Sequence, residues 1–143
     1  MSNLTPILTF DYPIRSRYAE TDQMGYVYHG RYLEYFETTR TEFIRKAGVT
    51  YKSLEDSGVM MPVMNAHLEF IRPVFYDEMV NVRLKIFELP TVRLKTHYEI
   101  TGADGTLRVK GAVTLCFMDS KTRRPCRPPE VFTNGIKSFI GHG

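Results

Sequence analysis

With 143 residues, 43% of them hydrophobic and 24% charged, the chain is long enough to bury a core without metals or disulfides. Its net charge of +3 is ordinary for solubility; it favours an anionic ligand and is too weak for a nucleic-acid binder. No run of 18 apolar residues occurs, and the start MSNLTPILTFDY lacks a basic segment, an apolar run and a small-residue cleavage site. Neither a membrane-spanning helix nor a secretory signal is expected, and a cytoplasmic protein forming one domain over residues 1–143 is expected. Cys116 and Cys126 lie ten apart with no Cys-x-x-Cys pattern, which predicts free thiols.

Residues 7 to 18 alternate. Leu8, Phe10, Tyr12, Ile14 and Tyr18 are expected on one face of a strand, and Thr9, Asp11, Arg15 and Arg17 on the wet one. Pro13 cannot donate to a ladder, which predicts an edge or bulged position. A polar loop follows with Glu20, Thr21, Asp22 and Gly25, crowded by Tyr18, Tyr26, Tyr28 and His29. From Gly30 the period changes to three and four: Tyr32, Phe36, Thr39, Phe43 and Ala47 form an apolar stripe, with Arg31, Glu34, Glu37, Thr41, Glu42 and Arg45 opposite. Arg45 and Lys46 in the last turn and Gly48 beyond it close a long helix. Residues 49 to 62 read as an irregular or one-turn helical connection. Four period-two runs follow, carrying Met64 to Phe70, Val80 to Ile86, Val92 to Ile100 and Leu107 to Phe117, each with one face expected in the core. Gly102-Ala103-Asp104-Gly105 predicts a hairpin between the last two. The tail is basic and proline-rich, and Val131, Phe132, Ile136, Phe139 and Ile140 predict a short docking helix. One helix and about five antiparallel strands make an α+β layer in which the sheet curls around the helix.

The residues at the junction of loop and helix form a pattern, Asp-x-x-Gly-x-Val-(Tyr/Phe)-His followed by Tyr-Phe-Glu-x-x-Arg. Here it is carried by Asp22, Gly25, Val27, Tyr28, His29, Tyr32, Tyr35, Phe36, Glu37 and Arg40. It resembles the signature of the hotdog-fold 4-hydroxybenzoyl-CoA thioesterase family, the YbgC-like acyl-CoA thioesterases above all, and the likeness runs more weakly over residues 8 to 125. The resemblance implies a hotdog fold, an antiparallel sheet wrapped around one central helix. It also implies hydrolysis of an acyl-CoA or aroyl-CoA thioester to free acid and CoA, with no cofactor and no metal, in a homodimer or homotetramer whose sites form between subunits. An acyl carrier protein thioester is a further substrate of the same class.

By the same resemblance Asp22 is the catalytic carboxylate, acting as nucleophile or as the base that activates water. The oxyanion donor falls at the backbone amide of His29, where the helix start offers unpaired N–H groups. The His29 ring and the Tyr18 hydroxyl are placed to orient Asp22 or the attacking water. Gly25, Tyr26 and Tyr28, with Asn65 and His67 reaching across an interface, are the expected substrate-binding residues, and Phe70 joins the aromatics as a pocket wall. Plainer readings stand beside these. Asp22 caps a turn before Gly25; Glu37 and Arg40 form an i, i+3 ion pair or a helix-to-sheet contact; Lys121, Arg123, Arg124 and Arg127 form a solvated face. No Gly-x-Ser-x-Gly elbow, phosphate-cradling glycine loop or paired metal-ligand spacing occurs. The alternatives that remain are a hotdog protein that binds acyl-CoA without catalysis and a hotdog hydratase or dehydratase. For the latter, Asp22 and His29 lack an intervening Asn-Pro.

Overall fold

The computed structural model describes residues 4–140. Strand β1 (Leu8–Arg15) leads through a single 3-10 turn (Tyr18–Glu20) and a loop into helix α1 (Arg31–Lys46). A short helix α2 (Tyr51–Asp56) and strand β2 (Val59–Met60) precede β3 (Val63–Phe70), β4 (Met79–Ile86), β5 (Arg93–Thr101) and β6 (Leu107–Cys116). Strand β7 (Met118–Asp119) and helix α3 (Glu130–Phe139) complete the order. Five strands form one sheet in the order β1-β4-β5-β6-β3, every neighbour antiparallel, while β2 and β7 pair separately. This is the hotdog architecture, with α1 as the rod against the sheet.

Period two decides the core of the central strands. Val80, Val82, Leu84 and Ile86 of β4, and Leu94, Thr96, Tyr98 and Ile100 of β5, are all buried, as the alternation predicts. Onto them α1 lays Tyr32, Tyr35, Phe36, Phe43 and Ile44. The Phe36 ring lies flat on that of Tyr98 at 4.3 Å, and a Cβ at Gly111 of β6 would overlap the Phe36 ring. A strand glycine here makes room for an aromatic ring from the helix. Arg40 is buried and donates to the Tyr98 hydroxyl at 3.0 Å, so the helix-to-sheet contact is the correct reading for this arginine. Gly48, at φ +85°, turns the chain out of α1 and donates to the Arg45 carbonyl at 3.0 Å. In α3, Phe132 packs on Phe117 and Phe139 on Phe43, giving the docking helix predicted from the tail.

Two expectations change. β1 ends at Arg15, and Tyr18 sits in the 3-10 turn, 77% exposed, with its ring edge-on to Tyr76; the alternation does not continue past the strand. Pro13 lies on an edge strand as expected, in unbroken register with Asn81 and without a bulge. β3 has no buried face: every residue but Leu68 is exposed, because among the described residues β3 pairs only with β6 and its other edge has no neighbour. Cys116 and Cys126 are both free thiols. Among the described residues no helix is long and apolar enough to cross a membrane.

Candidate active site

The loop before α1 is pinned by a buried acid. Glu20 is only 6% exposed, and its Oε1 accepts from the Arg17 amide at 2.8 Å and the Tyr35 hydroxyl at 2.7 Å. Burial and the adjacent Glu20 carboxylate hold the Tyr35 hydroxyl far above its usual range, so it remains a donor. The Glu20 carbonyl accepts from the Tyr28 amide at 2.8 Å, which ties the end of the loop to its beginning. Within it, the Asp22 amide donates to the Tyr26 carbonyl at 2.8 Å and the Gly25 amide to the Asp22 carbonyl at 3.1 Å. Gly25 adopts φ +81°, a conformation that costs glycine little.

Asp22 itself does two things at once. Its Oδ1 accepts from the amides of Met24 at 2.8 Å and Tyr26 at 3.3 Å, so it does cap the turn. No described residue donates to Oδ2. The turn-cap role therefore leaves one carboxylate oxygen uncommitted. At the far end of the loop the Arg31 amide donates to the Tyr28 carbonyl at 2.8 Å and α1 begins. The amide of His29 has no acceptor among the described residues, and it lies at the positive end of a 16-residue helix. The His29 ring leans on Tyr28 at 4.2 Å and meets Phe70 edge-on at 6.0 Å.

A strap, residues 70–78, carries the chain from β3 to β4 and forms the opposite wall. The Val27 amide donates to the Val74 carbonyl at 2.8 Å, the Tyr76 amide to the Gly25 carbonyl at 3.3 Å, and the Tyr26 and Phe75 rings meet edge-to-face. The strap is held in turn by Arg108, which is 4% exposed. Its guanidinium donates to the Pro73 carbonyl at 2.8 Å and to both Glu78 carboxylate oxygens, at 2.8 and 2.6 Å. Glu78 also accepts from the amides of Phe75 and Ala103. Burial alone raises the Glu78 pKa, but the Arg108 guanidinium and these two amides outweigh it and leave it below the usual carboxylate value.

Loop, helix start and strap enclose a cleft of about 380 Å³. Asp22, Tyr26, Val27, His29 and Tyr32 line one side, and Phe70, Ile71, Arg72 and Pro73 the other. Of the residues expected from the sequence, Asp22, Tyr26 and His29 thus meet in one place, and Phe70 walls it. Gly25 shapes the loop without lining the cleft. Tyr18 and Tyr28 lie outside it, 77% and 49% exposed. Asn65 and His67 are exposed on β3, paired only through their backbones to Thr114 and Ala112. Two cleft residues, Tyr32 and Arg72, are given no part in the site by the sequence. Tyr32 reads as helix core, yet its hydroxyl faces the cleft wall and accepts from the Val74 amide at 3.3 Å, with burial raising its pKa so that it stays protonated. Arg72 lies just past the end of β3, before Pro73. Among the described residues no group of three His, Cys, Asp or Glu side chains converges to hold a metal.

Comparisons with known proteins bear on the family and the fold. The thioesterase-like superfamily profile matches residues 16–136. The chain is 27% identical over 121 residues to the acyl-CoA thioester hydrolase YbgC of Escherichia coli, covering 85% of this chain and 90% of that one. The crystal structure of a DHNA-CoA thioesterase from Staphylococcus aureus superposes with a TM-score of 0.82 at 31% identity, over 92% of this chain and 88% of the other. The SAV2348 protein of Staphylococcus aureus, solved in complex with CoA, has the same fold at 21% identity, with a TM-score of 0.86 over 97% of this chain and 88% of its own.

Proposed function

Because this chain belongs to the thioesterase-like superfamily, we propose that it hydrolyses acyl-CoA or aroyl-CoA thioesters to the free acid and CoA. The observation that carries this is the sharing of one cleft by the Asp22 carboxylate and the helix start at His29. In the first step an oxygen, either the free Oδ2 of Asp22 or that of a water whose proton passes to Asp22, adds to the thioester carbonyl to give a tetrahedral adduct, which on the Asp22 route becomes a mixed anhydride once sulfur leaves. The carbonyl oxygen gains negative charge, and the His29 amide, which has no acceptor among the described residues, serves as its donor. The C–S bond then breaks, the thiolate of CoA takes up a proton, and water releases the acid from an anhydride if one has formed. The protonated Tyr32 hydroxyl lies in the same cleft as a second donor. The exposed edge of β3, with Met64, Phe70 and Ile71 40–60% exposed, is the surface on which a second copy would close the open side of the cleft and bring its Asn65 and His67 near.

Asp22→Asn tests this directly. An amide oxygen accepts the same two loop hydrogen bonds, so the fold persists while the nucleophile or base is lost. Thiol release from a panel of acetyl, medium-chain, long-chain and benzoyl CoA esters should fall by roughly 10²- to 10⁴-fold in kcat. His29→Ala, which keeps the backbone amide, should cost much less. Near-normal turnover by Asp22→Asn would refute the mechanism; tight acyl-CoA binding with no thiol released by the unaltered protein would favour the non-catalytic alternative.

A further inference from the structure

Both sides of Arg72 are fastened and its side chain is not. The amides of Ile71 and Arg72 donate to the Arg108 carbonyl at 2.9 and 3.0 Å, and the next residue, Pro73, gives its carbonyl to the Arg108 guanidinium. Arg15, Arg31, Arg83 and Arg108 each meet a carboxylate. The Arg72 guanidinium, like those of Arg93, Arg123, Arg124 and Arg127, meets none among the described residues, and of these five arginines Arg72 is the one that lines the same cleft as Asp22. A fastened backbone thus holds an exposed, permanently charged arginine at the wall of the cleft, and a planar oxyanion is the group that its donor fork matches in two hydrogen bonds.

Resting on the thioesterase reading, we propose that Arg72 is an oxyanion receptor of this cleft and sets its substrate preference toward acyl groups that carry a carboxylate of their own, the monothioesters of dicarboxylic acids. The Asp22 carboxylate repels such a group, so a cleft with no cation would disfavour it; Arg72 supplies the countercharge. The other oxyanions on a CoA ester are its phosphates, and dimensions favour the carboxylate. A sphere of the cleft's volume is roughly 9 Å across. The pantetheine arm between sulfur and the first phosphate is about as long as four extended residues, roughly 14 Å. A thioester held at Asp22 therefore sends its phosphates out of the cleft and keeps its acyl end within it, where Tyr26, Tyr32 and Phe70 flank a short hydrocarbon spacer.

The experiment compares the unaltered protein with Arg72→Gln on glutaryl-CoA, valeryl-CoA and the N-acetylcysteamine thioesters of the same two acids. Loss of a charge-assisted pair should lower kcat/KM roughly 10- to 100-fold for both glutaryl esters and leave both valeryl esters within about twofold. An equal loss on both CoA esters with none on the short thioesters would uphold the receptor but assign its anion to a phosphate, overturning the dicarboxylate preference. Unchanged kcat/KM on all four would overturn the receptor itself. Should the unaltered protein release no thiol from any ester, the thioesterase reading fails on its own account. Calorimetric binding of glutaryl-CoA and valeryl-CoA then still decides: a preference for glutaryl-CoA abolished by Arg72→Gln supports the receptor, and equal affinities overturn it.

Discussion

A single hydroxyl illustrates how much of the site depends on residues that never touch substrate. Tyr35 donates to Glu20 in the interior, and Glu20 in turn fixes Arg17 on one side and, through its carbonyl, Tyr28 on the other. Tyr35→Phe removes that donor and leaves a buried carboxylate short of one partner while changing almost no volume. The expected cost is about 1–3 kcal/mol, the penalty for an under-satisfied buried charge. Glu20→Gln in the same background should recover part of it, because a neutral amide tolerates burial better than an unpaired carboxylate. Urea unfolding of the two single variants and the double variant measures both effects; additive losses would show that Tyr35 and Glu20 are not coupled. Neither partner was legible as a pair in the sequence. Tyr35 belonged to the family pattern and Glu20 to an acidic loop, and only the folded loop brings residues 15 apart in sequence to 2.7 Å.

At the scale of elements, the strap is the part that period-two reading missed. The alternation in β6 assigns Val109, Val113 and Leu115 to the core, correctly, and thereby puts Arg108 on the wet face. It is nevertheless buried, because residues 70–78 fold over that end of the sheet and cover its outer side. A strand pattern records which face meets the helix; it carries no trace of a connection that returns across the other face. Gly102 has the same origin, since a Cβ there would run into the Arg108 guanidinium. With side-chain exposures of 5% for Arg108 and 13% for Glu78, this is an interior ion pair, and breaking it by removing one partner costs about 3–5 kcal/mol. Arg108→Met should therefore be strongly destabilised, while Arg108→Met with Glu78→Met should be markedly less so, as no charge is left stranded. Because Pro73 and Val74 depend on the strap, Arg108→Met should also weaken substrate affinity under conditions where the variant is fully folded. Equal stability of the single and double variants, measured by denaturant titration, would rule out this account of the pair.

Across the whole molecule, what could be read in advance was set by periodicity and what could not by neighbours. The rod, the central strands, the hairpin at Gly102 and the final helix all follow from residue spacing, and Asp22, Tyr26 and His29 converge because they share one short loop. The exposure of β3 and the burial of Arg108 depend on which segment lies alongside, which spacing does not encode. Protonation also acts at this scale, and here the shifts point the same way. His97 sits partly buried between Lys85 and Lys95; burial first, then these two cations, hold its pKa below the ordinary 6.5. Glu78 is held below its ordinary 4.5 by Arg108 and two amides despite its burial, and Asp11 below 3.8 by its hydrogen bonds from Arg83. In each case the unfolded chain takes up a proton that the folded one refuses, so acid favours unfolding. The stability these groups contribute is present in full above the unfolded values and is lost as pH falls through the folded ones. Melting temperature should thus decline gently as pH drops below about 6.5, through His97, and steeply below about 4.5, through Glu78 and Asp11. His97→Gln should flatten the upper part of that curve and leave the lower part unchanged. A melting temperature that stays constant from pH 7 to pH 4, or rises, would mean that these groups are not held as the structure places them.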